Sequence, residues 1–133
     1  MLSAEQHLQI ADELIAADAS KELLPILTGR YPGMVGDDSY AVQRAWTERK
    51  LAEGRRVVGR KIGLTSKVMQ VATGITEPDY GVILDDMVIE SGSVIDFDRF
   101  SNVRIEVELA FVLAKPLTGL HTTIFDVLDA TAY

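Results

Sequence analysis

Two acidic residues, Glu106 and Glu108, are separated by one position in the run RIEVELAFVL, residues 104–113. The alternation of side-chain types in this run predicts a strand, in which alternate residues share a face. One face is apolar and consists of Ile105, Val107, Leu109, Phe111 and Leu113. The other face begins with Arg104, Glu106 and Glu108. The two carboxylates would lie roughly 7 Å apart at the backbone, so that both can lean onto one cation.

Carboxylate oxygens at this spacing favour a hard divalent ion, Mg²⁺ or Mn²⁺. Without a cation, two like charges so close would repel each other. The alternative is a solvated strand end in which Arg104 offsets the charge of Glu106. The spacing of the two acids leaves both interpretations open.

A lysine stands between two glycines in a second predicted strand, residues 56–64. Gly59, Lys61 and Gly63 share one face of that strand. Because glycine weakens a strand, a pair of glycines around Lys61 suggests that a ligand or another chain approaches the backbone there. The alternative is a bend in a barrel with a surface lysine. The order of the glycines matches neither a phosphate-binding loop nor a dinucleotide-binding fingerprint.

Asp79 lies in the segment EPDYG, residues 77–81, where proline and glycine predict a turn and an aspartate is usually a turn former. Two short strands are predicted beyond it, at residues 87–90 and 93–96, joined as a hairpin by Ser91 and Gly92.

Helices are predicted near the start of the chain. Ser3 and Gln6 form the pattern of a capping box, and an apolar stripe of a first helix follows it. That stripe consists of Leu8, Ala11, Leu14 and Ile15. A Pro- and Gly-rich connector, residues 25–36, separates this helix from a second one.

The second helix is expected to begin at Asp37 or Asp38 as its cap and to stop at Gly54. Val42, Ala45 and Trp46 are its predicted inner face. A short helix is predicted after Thr65 or Ser66, closed by Gly74, and a last one after Thr123, in which the chain stops before any cap.

The composition excludes several classes of protein. With 133 residues, of which 47% are apolar and 25% charged, one domain or less is expected. A net charge of -7 argues against nucleic acid as the main partner, and no apolar run is long enough to predict insertion in a membrane. The chain has no cysteine, which excludes thiolate metal sites and favours an intracellular, cytoplasmic location.

Four segments in the same order resemble one enzyme family. They are residues 58–66, 77–81, 84–87 and 104–113. The family is that of the 2-oxohept-4-ene-1,7-dioate hydratases and 2-hydroxypentadienoate hydratases of aromatic meta-cleavage catabolism, within the fumarylacetoacetate hydrolase superfamily. The chain resembles the N-terminal half of these enzymes, whose third acidic metal ligand follows the position of Tyr133.

The resemblance implies roles for particular residues. Glu106 and Glu108 match two ligands of a Mg²⁺ or Mn²⁺ ion, and Lys61 and Asp79 match the polar catalytic groups. Arg104 and Leu64 are assigned to substrate binding on the same basis.

The fold implied is α/β or α+β, with N-terminal helices in residues 1–54. Residues 55–133 would form the first part of a mixed β-roll or barrel of the fumarylacetoacetate hydrolase type. The expected activity is metal-dependent addition of water to a small 2-oxo-alkenoate by a homo-oligomer. The alternatives are a 4-oxalocrotonate-type decarboxylase and a non-catalytic fragment that serves as an assembly partner.

Overall fold

A computed structural model describes all residues of the chain, Met1–Tyr133. They form two units, Met1–Asn102 and Val103–Tyr133. The helices and strands are α1 (Ala4–Ser20), α2 (Leu27–Arg30), α3 (Gly36–Ala52), β1 (Val57–Gly63), α4 (Lys67–Thr73), β2 (Asp79–Leu84) and α5 (Ile124–Ala130). The domain boundary predicted between residues 54 and 55 stays a prediction.

Helix α1 begins with the capping box that the sequence predicts. The Ser3 hydroxyl accepts a hydrogen bond from the Gln6 backbone N–H at 3.2 Å, and the Gln6 side chain accepts from the Ser3 N–H at 2.9 Å. These two bonds satisfy backbone donors that the first turn of a helix leaves free. The helix ends at Lys21, which takes the left-handed conformation with φ 62°.

The core of the first unit lies between α1 and α3. Its buried side chains are Ile10, Ala11, Val42 and Ala45. Partly buried residues pack around them, namely Leu2, Leu14, Leu27, Tyr31 and Trp46. The predicted inner face of α3 is therefore confirmed.

The predicted inner face of α1 is wrong at Leu8, which is exposed, and it omits Ile10, which is fully buried. Helix α1 packs against α3 along a stripe that includes Ile10, Ala11 and Leu14. Leu8 lies to one side of that stripe, where no other element of this chain covers it.

Helix α3 begins at Gly36 after the N-cap residue Val35, so Asp38 lies inside the first turn and is not the N-cap residue itself. The Asp38 side chain is fully buried and holds the starts of both long helices. Its Oδ1 accepts hydrogen bonds from the Leu2 N–H and from His7 Nε2, both at 2.9 Å. Its Oδ2 accepts from the Val35 N–H at 3.0 Å.

The bond from the Val35 N–H is the main reason that the pKa of Asp38 falls from 3.8 to about 2. Burial opposes this shift, whereas the bonds from His7 and Leu2 add to it. The Asp38 carboxylate therefore stays charged although it is buried between α1 and α3. A residue that only caps a helix would lie at the surface.

Strands β1 and β2 form a two-stranded antiparallel sheet with an irregularity between Val57 and Gly59. Strand β1 was predicted, but β2 was not. Asp79 pairs with Gly63 at the start of β2, so its prediction as a residue inside a turn is wrong. The apolar run that follows Gly81 supplies the partner that β1 needs to satisfy its backbone groups.

The predicted hairpin over residues 87–96 is wrong in its strands and correct in its turn. Ser93 N–H donates to the Glu90 carbonyl at 3.1 Å, and Gly92 has φ 83°. Short 3₁₀ helices, Asp85–Met87 and Phe97–Arg99, flank this turn. The residues between them form no strand ladder.

In the second unit, residues 104–112 have no regular secondary structure, so the predicted strand over residues 104–113 is absent. An isolated bridge joins Leu113 to Thr131, just beyond α5. A strand is stable only when a neighbour pairs with its backbone, and residues 104–111 form no backbone hydrogen bond.

Helix α5 forms after Thr123, as predicted, with the Thr123 side chain as its cap, and it ends at Ala130 instead of continuing to the last residue. None of the helices combines the length and the apolar character needed to cross a membrane.

Candidate functional site

The β1–β2 sheet brings Lys61 and Asp79 onto the same face. Lys61 pairs with Gly81, and Gly63 pairs with Asp79. Residues directly opposite each other in a sheet point to the same side, so the two polar side chains are diagonal neighbours. No ion pair within 4.0 Å joins them or binds either to another residue.

Each of these side chains lies across a glycine of the opposite strand. A methyl group built on Gly63 would overlap Asp79 Oδ1 and lie 3.1 Å from Asp79 Cγ. At Gly81, the same methyl would lie 3.4 Å from Lys61 Cγ. Gly63 is therefore required for the position of Asp79, whereas Gly81 only leaves Lys61 room. Gly63, one of the two glycines around Lys61, thus makes room for Asp79, which the sequence pattern did not suggest.

Helix α3 contacts strand β2 through two side chains. The Gln43 side-chain amide donates to the Tyr80 carbonyl at 3.0 Å. The rings of Tyr40 and Tyr80 stack at 4.5 Å between centroids and 12° between planes. Stacked aromatic pairs contribute about 0.5–1.5 kcal/mol beyond area burial. These contacts fix the backbone between Asp79 and Gly81 against the helix pair.

Leu64 follows β1 with φ 55°, a left-handed conformation that costs a non-glycine residue free energy. Its carbonyl accepts a hydrogen bond from the Gln70 side chain at 2.8 Å, and Gln70 is 6% exposed. Lys67 donates to the other end of the Gln70 amide at 3.0 Å. Helix α4 therefore stabilises the turn that directly follows Gly63.

Gln70 is a functional candidate that the sequence reasoning missed. It is the one polar residue in the run VMQVA, residues 68–72. A single amide among apolar neighbours is a signal for a buried polar contact.

Two aspartates, Asp85 and Asp86, form ion pairs at the end of the sheet where β1 begins and β2 ends. Asp85 accepts hydrogen bonds from the Arg56 backbone N–H at 3.1 Å and from the Arg56 guanidinium at 3.2 Å. The backbone bond is the main cause of the lowered pKa of Asp85. Asp86 pairs with Arg55 through Oδ2 at 3.2 Å, whereas its buried Oδ1 has no partner. Asp85 and Asp86 therefore connect the end of β2 to the residues that precede β1.

The remaining predicted site residues, Arg104, Glu106 and Glu108, lie in the unit Val103–Tyr133. All three are exposed and none forms a salt bridge, so Arg104 does not offset Glu106 through an ion pair. The carboxylates of Glu106 and Glu108 have the oxygen atoms that a hard divalent ion prefers as ligands. No group of three or more acidic, histidine or cysteine side chains is placed to hold a metal. The chain thus offers two ligands of a suitable type, which is fewer than a complete site uses.

Comparison with known proteins connects these residues to a family. The chain is 52% identical over 133 residues to 2-oxo-hept-4-ene-1,7-dioate hydratase of Escherichia coli, covering 100% of the chain and 50% of that protein. It is 40% identical over 124 residues to 2-hydroxypent-2,4-dienoate hydratase of Pseudomonas putida, covering 92% and 56%. No family model matches the chain. The chain spans about half the length of the curated relatives it matches.

A solved structure agrees with the sequence relatives. The 4-oxalocrotonate decarboxylase of Pseudomonas putida G7, complexed with magnesium and adipate, superposes with a TM-score of 0.85 at 28% identity. The superposition covers 98% of this chain and 50% of the decarboxylase. This chain therefore has the mixed arrangement of helices and strands that is found in one half of the decarboxylase. The resemblance inferred from the four segments is confirmed, and the roles of the individual site residues stay predictions.

Proposed function

We propose that this chain, a homologue of the N-terminal half of the 2-oxo-alkenoate hydratases, carries part of the active site of a hydratase that adds water to a 2-oxo-alkenoate of aromatic meta-cleavage catabolism. The observation that carries the proposal is the 52% identity to the Escherichia coli hydratase over the whole chain. We further propose that the complete protein has the mixed β-roll of the fumarylacetoacetate hydrolase type and forms a homo-oligomer.

Lys61 and Asp79 are the proposed proton-handling pair. Both lie on one face of the sheet and neither is neutralised by a partner, so both are available to a substrate. Addition of water to a conjugated 2-oxo acid needs a proton delivered to carbon and a water molecule oriented for attack. We assign the substrate carboxylate and proton movement to Lys61, and the orientation of water or tautomerisation to Asp79.

Glu106 and Glu108 are the proposed metal ligands in this chain, with Mg²⁺ or Mn²⁺ as the ion. Both carboxylates are exposed and free of ion pairs, as the ligands of an incomplete site would be. A divalent ion bound there would act as a Lewis acid toward a 2-oxo acid and stabilise negative charge that develops on its oxygen atoms. Arg104 and Leu64 are assigned to substrate contact. Further ligands would come from the half of the family fold that this chain does not span.

The activity can be tested in a completed chimera, defined as residues 1–133 followed by the remaining half of the Escherichia coli hydratase. We expect Lys61→Ala and Asp79→Asn to lower kcat by about 100- to 10,000-fold, because general acid–base groups contribute factors of that size. The assay follows the loss of absorbance of the conjugated dienol substrate. Arg60→Ala is the matched control, since Arg60 is a cation on the opposite face of β1. Near-normal kcat for Lys61→Ala would contradict the proposed role.

Metal binding needs a separate measurement. Titration of the completed chimera with Mn²⁺ in a calorimeter should give binding that is lost in Glu106→Ala and in Glu108→Ala. Glu90→Ala is the control, because Glu90 is an exposed glutamate outside the proposed site. Unchanged affinity in both site variants would reject these ligands.

The second candidate is a decarboxylase of the 4-oxalocrotonate type, which the TM-score of 0.85 to such an enzyme favours. One reaction is loss of CO₂ from a 2-oxo-3-enedioate and the other is addition of water to a 2-oxo-alkenoate. In both of them, negative charge develops on the oxygen of the 2-oxo group. Product analysis of the completed chimera distinguishes them, because only one reaction releases CO₂. A chimera that binds metal but converts neither substrate would favour the third alternative, a non-catalytic assembly partner.

A further inference from the structure

Helix α4 buries an amide and leaves its apolar side chains exposed. Gln70 is 6% exposed and is the one buried residue of α4, whereas Val68 is 77% and Val71 is 83% exposed. Each end of the Gln70 amide has a partner, because Nε2 donates to the Leu64 carbonyl at 2.8 Å and Oε1 accepts from Lys67 Nζ at 3.0 Å. A helix on a protein surface usually buries its apolar residues instead. The reversed arrangement indicates that the bond to Leu64 is the main contribution of α4 to this part of the chain.

Leu64 needs that bond because its backbone is strained. Its φ of 55° is left-handed, a conformation that leucine adopts only at a cost in free energy. A residue keeps such a conformation only when the surrounding structure holds it there. At the carbonyl of Leu64, the side chain that does so is Gln70. Without the amide donor, we expect Leu64 to relax to a negative φ, which would turn the chain in another direction directly after Gly63.

Gly63 is the last residue of β1, and the Asp79 carboxylate rests on its backbone. A methyl group on Gly63 would overlap Asp79 Oδ1 and lie 3.1 Å from Asp79 Cγ. The equivalent contact of Lys61 with Gly81 is looser, since a methyl on Gly81 would lie 3.4 Å from Lys61 Cγ. A shift of the backbone at Gly63 therefore reaches the Asp79 carboxylate directly, whereas Lys61 lies further inside β1.

We infer that Gln70 is a positioning residue for Asp79. Its hydrogen bond to Leu64 fixes the end of β1, and Gly63 at that end fixes the place of the carboxylate. The Gln70 amide is directed to Leu64 and Lys67, so it acts through the backbone and not by contact with a substrate. The effect on catalysis rests on the proposed function, in which Asp79 handles water or protons. The effect on the position of Asp79 needs no activity to be observed.

Nuclear Overhauser contacts in the 133-residue chain measure that position. A contact between the β-protons of Asp79 and the α-protons of Gly63 reports where the carboxylate lies. A contact between the γ-protons of Lys61 and the α-protons of Gly81 reports whether the sheet is intact. Gln70→Met keeps the size of the side chain and removes its donor. We expect it to abolish the first contact and to retain the second.

Two further variants separate the two ends of the amide. Lys67→Met is the matched control, because it removes the cation at Oε1 and leaves the donor to Leu64 in place. Both contacts should be retained in it. Gln70→Glu keeps an oxygen for Lys67 and has no donor when ionised. It should lose the contact between Asp79 and Gly63, and it provides the same test if Gln70→Met does not fold.

Kinetics of the completed chimera show whether Gln70 acts through Asp79. Gln70→Met should lower kcat roughly 10- to 100-fold, because a small displacement of a reacting group costs factors of that size. KM should change little, since Asp79 is not assigned to substrate binding. In the Asp79→Asn background, the same substitution should lower kcat by less than about twofold, because residues that act as a unit have non-additive effects. A residue that only stabilises the fold would lower kcat by the same factor in both backgrounds.

Three results would overturn the inference. The first is a retained contact between Asp79 and Gly63 in both Gln70 variants. The second is loss of both contacts in both Gln70 variants, which would assign Gln70 to the general stability of the sheet. The third is an equal loss of kcat for Gln70→Met with and without Asp79→Asn. A chimera that converts no substrate rejects the proposed function, and the two nuclear Overhauser contacts then decide the role of Gln70 by themselves.

Discussion

The α1–α3 pair and the segment 104–113 carry equally clear apolar patterns, yet only the first pattern is buried. Ile10 is 0% exposed, whereas Val107 is 99% exposed. The difference lies in the partners, because α1 and α3 cover each other, whereas residues 104–111 form no backbone hydrogen bond and belong to no buried cluster. A periodic apolar pattern thus indicates which face of an element becomes buried. It does not indicate which segment of a chain covers that face.

Replacement of one apolar residue in each region should give the largest contrast. Ile10→Ala should lower the free energy of unfolding of the isolated chain by about 2–5 kcal/mol, because it leaves a cavity in a closed core. Val107→Ala should change it by less than about 0.5 kcal/mol, as is usual for exposed positions. Urea unfolding followed by circular dichroism measures both. Comparable losses would show that the two regions differ less than the structure indicates.

Asp38 tests whether the helix pair depends on its buried acid. Asp38→Ala should lower the melting temperature by roughly 5–10 °C, because the N–H groups of Leu2 and Val35 lose their buried acceptor. Asp37→Ala removes the neighbouring exposed carboxylate and should leave the melting temperature almost unchanged. Thermal unfolding at pH 7 gives the comparison. Equal effects would reject the specific role of Asp38.

The pH dependence of stability follows from the same carboxylate. Its pKa is lowered to about 2 in the folded chain from 3.8, so the unfolded chain binds the proton more readily. The stabilisation is therefore complete above about pH 4 and is lost as the pH falls through about 2. Acid unfolding of the unmodified chain should be steeper in this window than that of Asp38→Ala. Identical slopes would mean that other acids dominate.

A smaller effect is expected in the sheet. Gly63→Ala should cost about 1–3 kcal/mol, because the added methyl overlaps the Asp79 carboxylate and one of them must shift. Gly59→Ala is the control on the same strand and face, where the methyl would meet Ile83 at 3.6 Å, an ordinary contact. Chemical unfolding of both variants checks the difference. A neutral Gly63→Ala would show that Asp79 moves away freely.

Local signals predicted the helical region well. The capping box at Ser3 and the inner face with Val42 and Ala45 depend on contacts between near neighbours in sequence or on one helix face. Asp37 or Asp38 was predicted as a cap because aspartate favours that position. The actual place of Asp38 was not predictable from the sequence, because its partners Leu2 and His7 lie 36 and 31 residues away.

The strands show where sequence reasoning reaches its limit. Residues 104–113 have a strand pattern, but formation of a strand depends on a neighbour that no local pattern describes. Strand β2 was not predicted, because Pro78 and Gly81 are residues typical of a turn. Lys61 and Asp79 lie on one face of the sheet, an arrangement that the sequence did not predict, and their roles stay predictions. The support given by Gln43 and Gln70 could not be predicted, because it depends on how helices meet the sheet.

The contact between Asp79 and Gly63 also constrains how this sequence can diverge. Because the carboxylate occupies the space of a β-carbon on the opposite strand, replacements at the two positions are not independent. A side chain at position 63 displaces the Asp79 carboxylate unless position 79 has a smaller residue, so a change of Gly63 alone would move the acid from its present position. In a set of diverged sequences, the two positions should therefore covary.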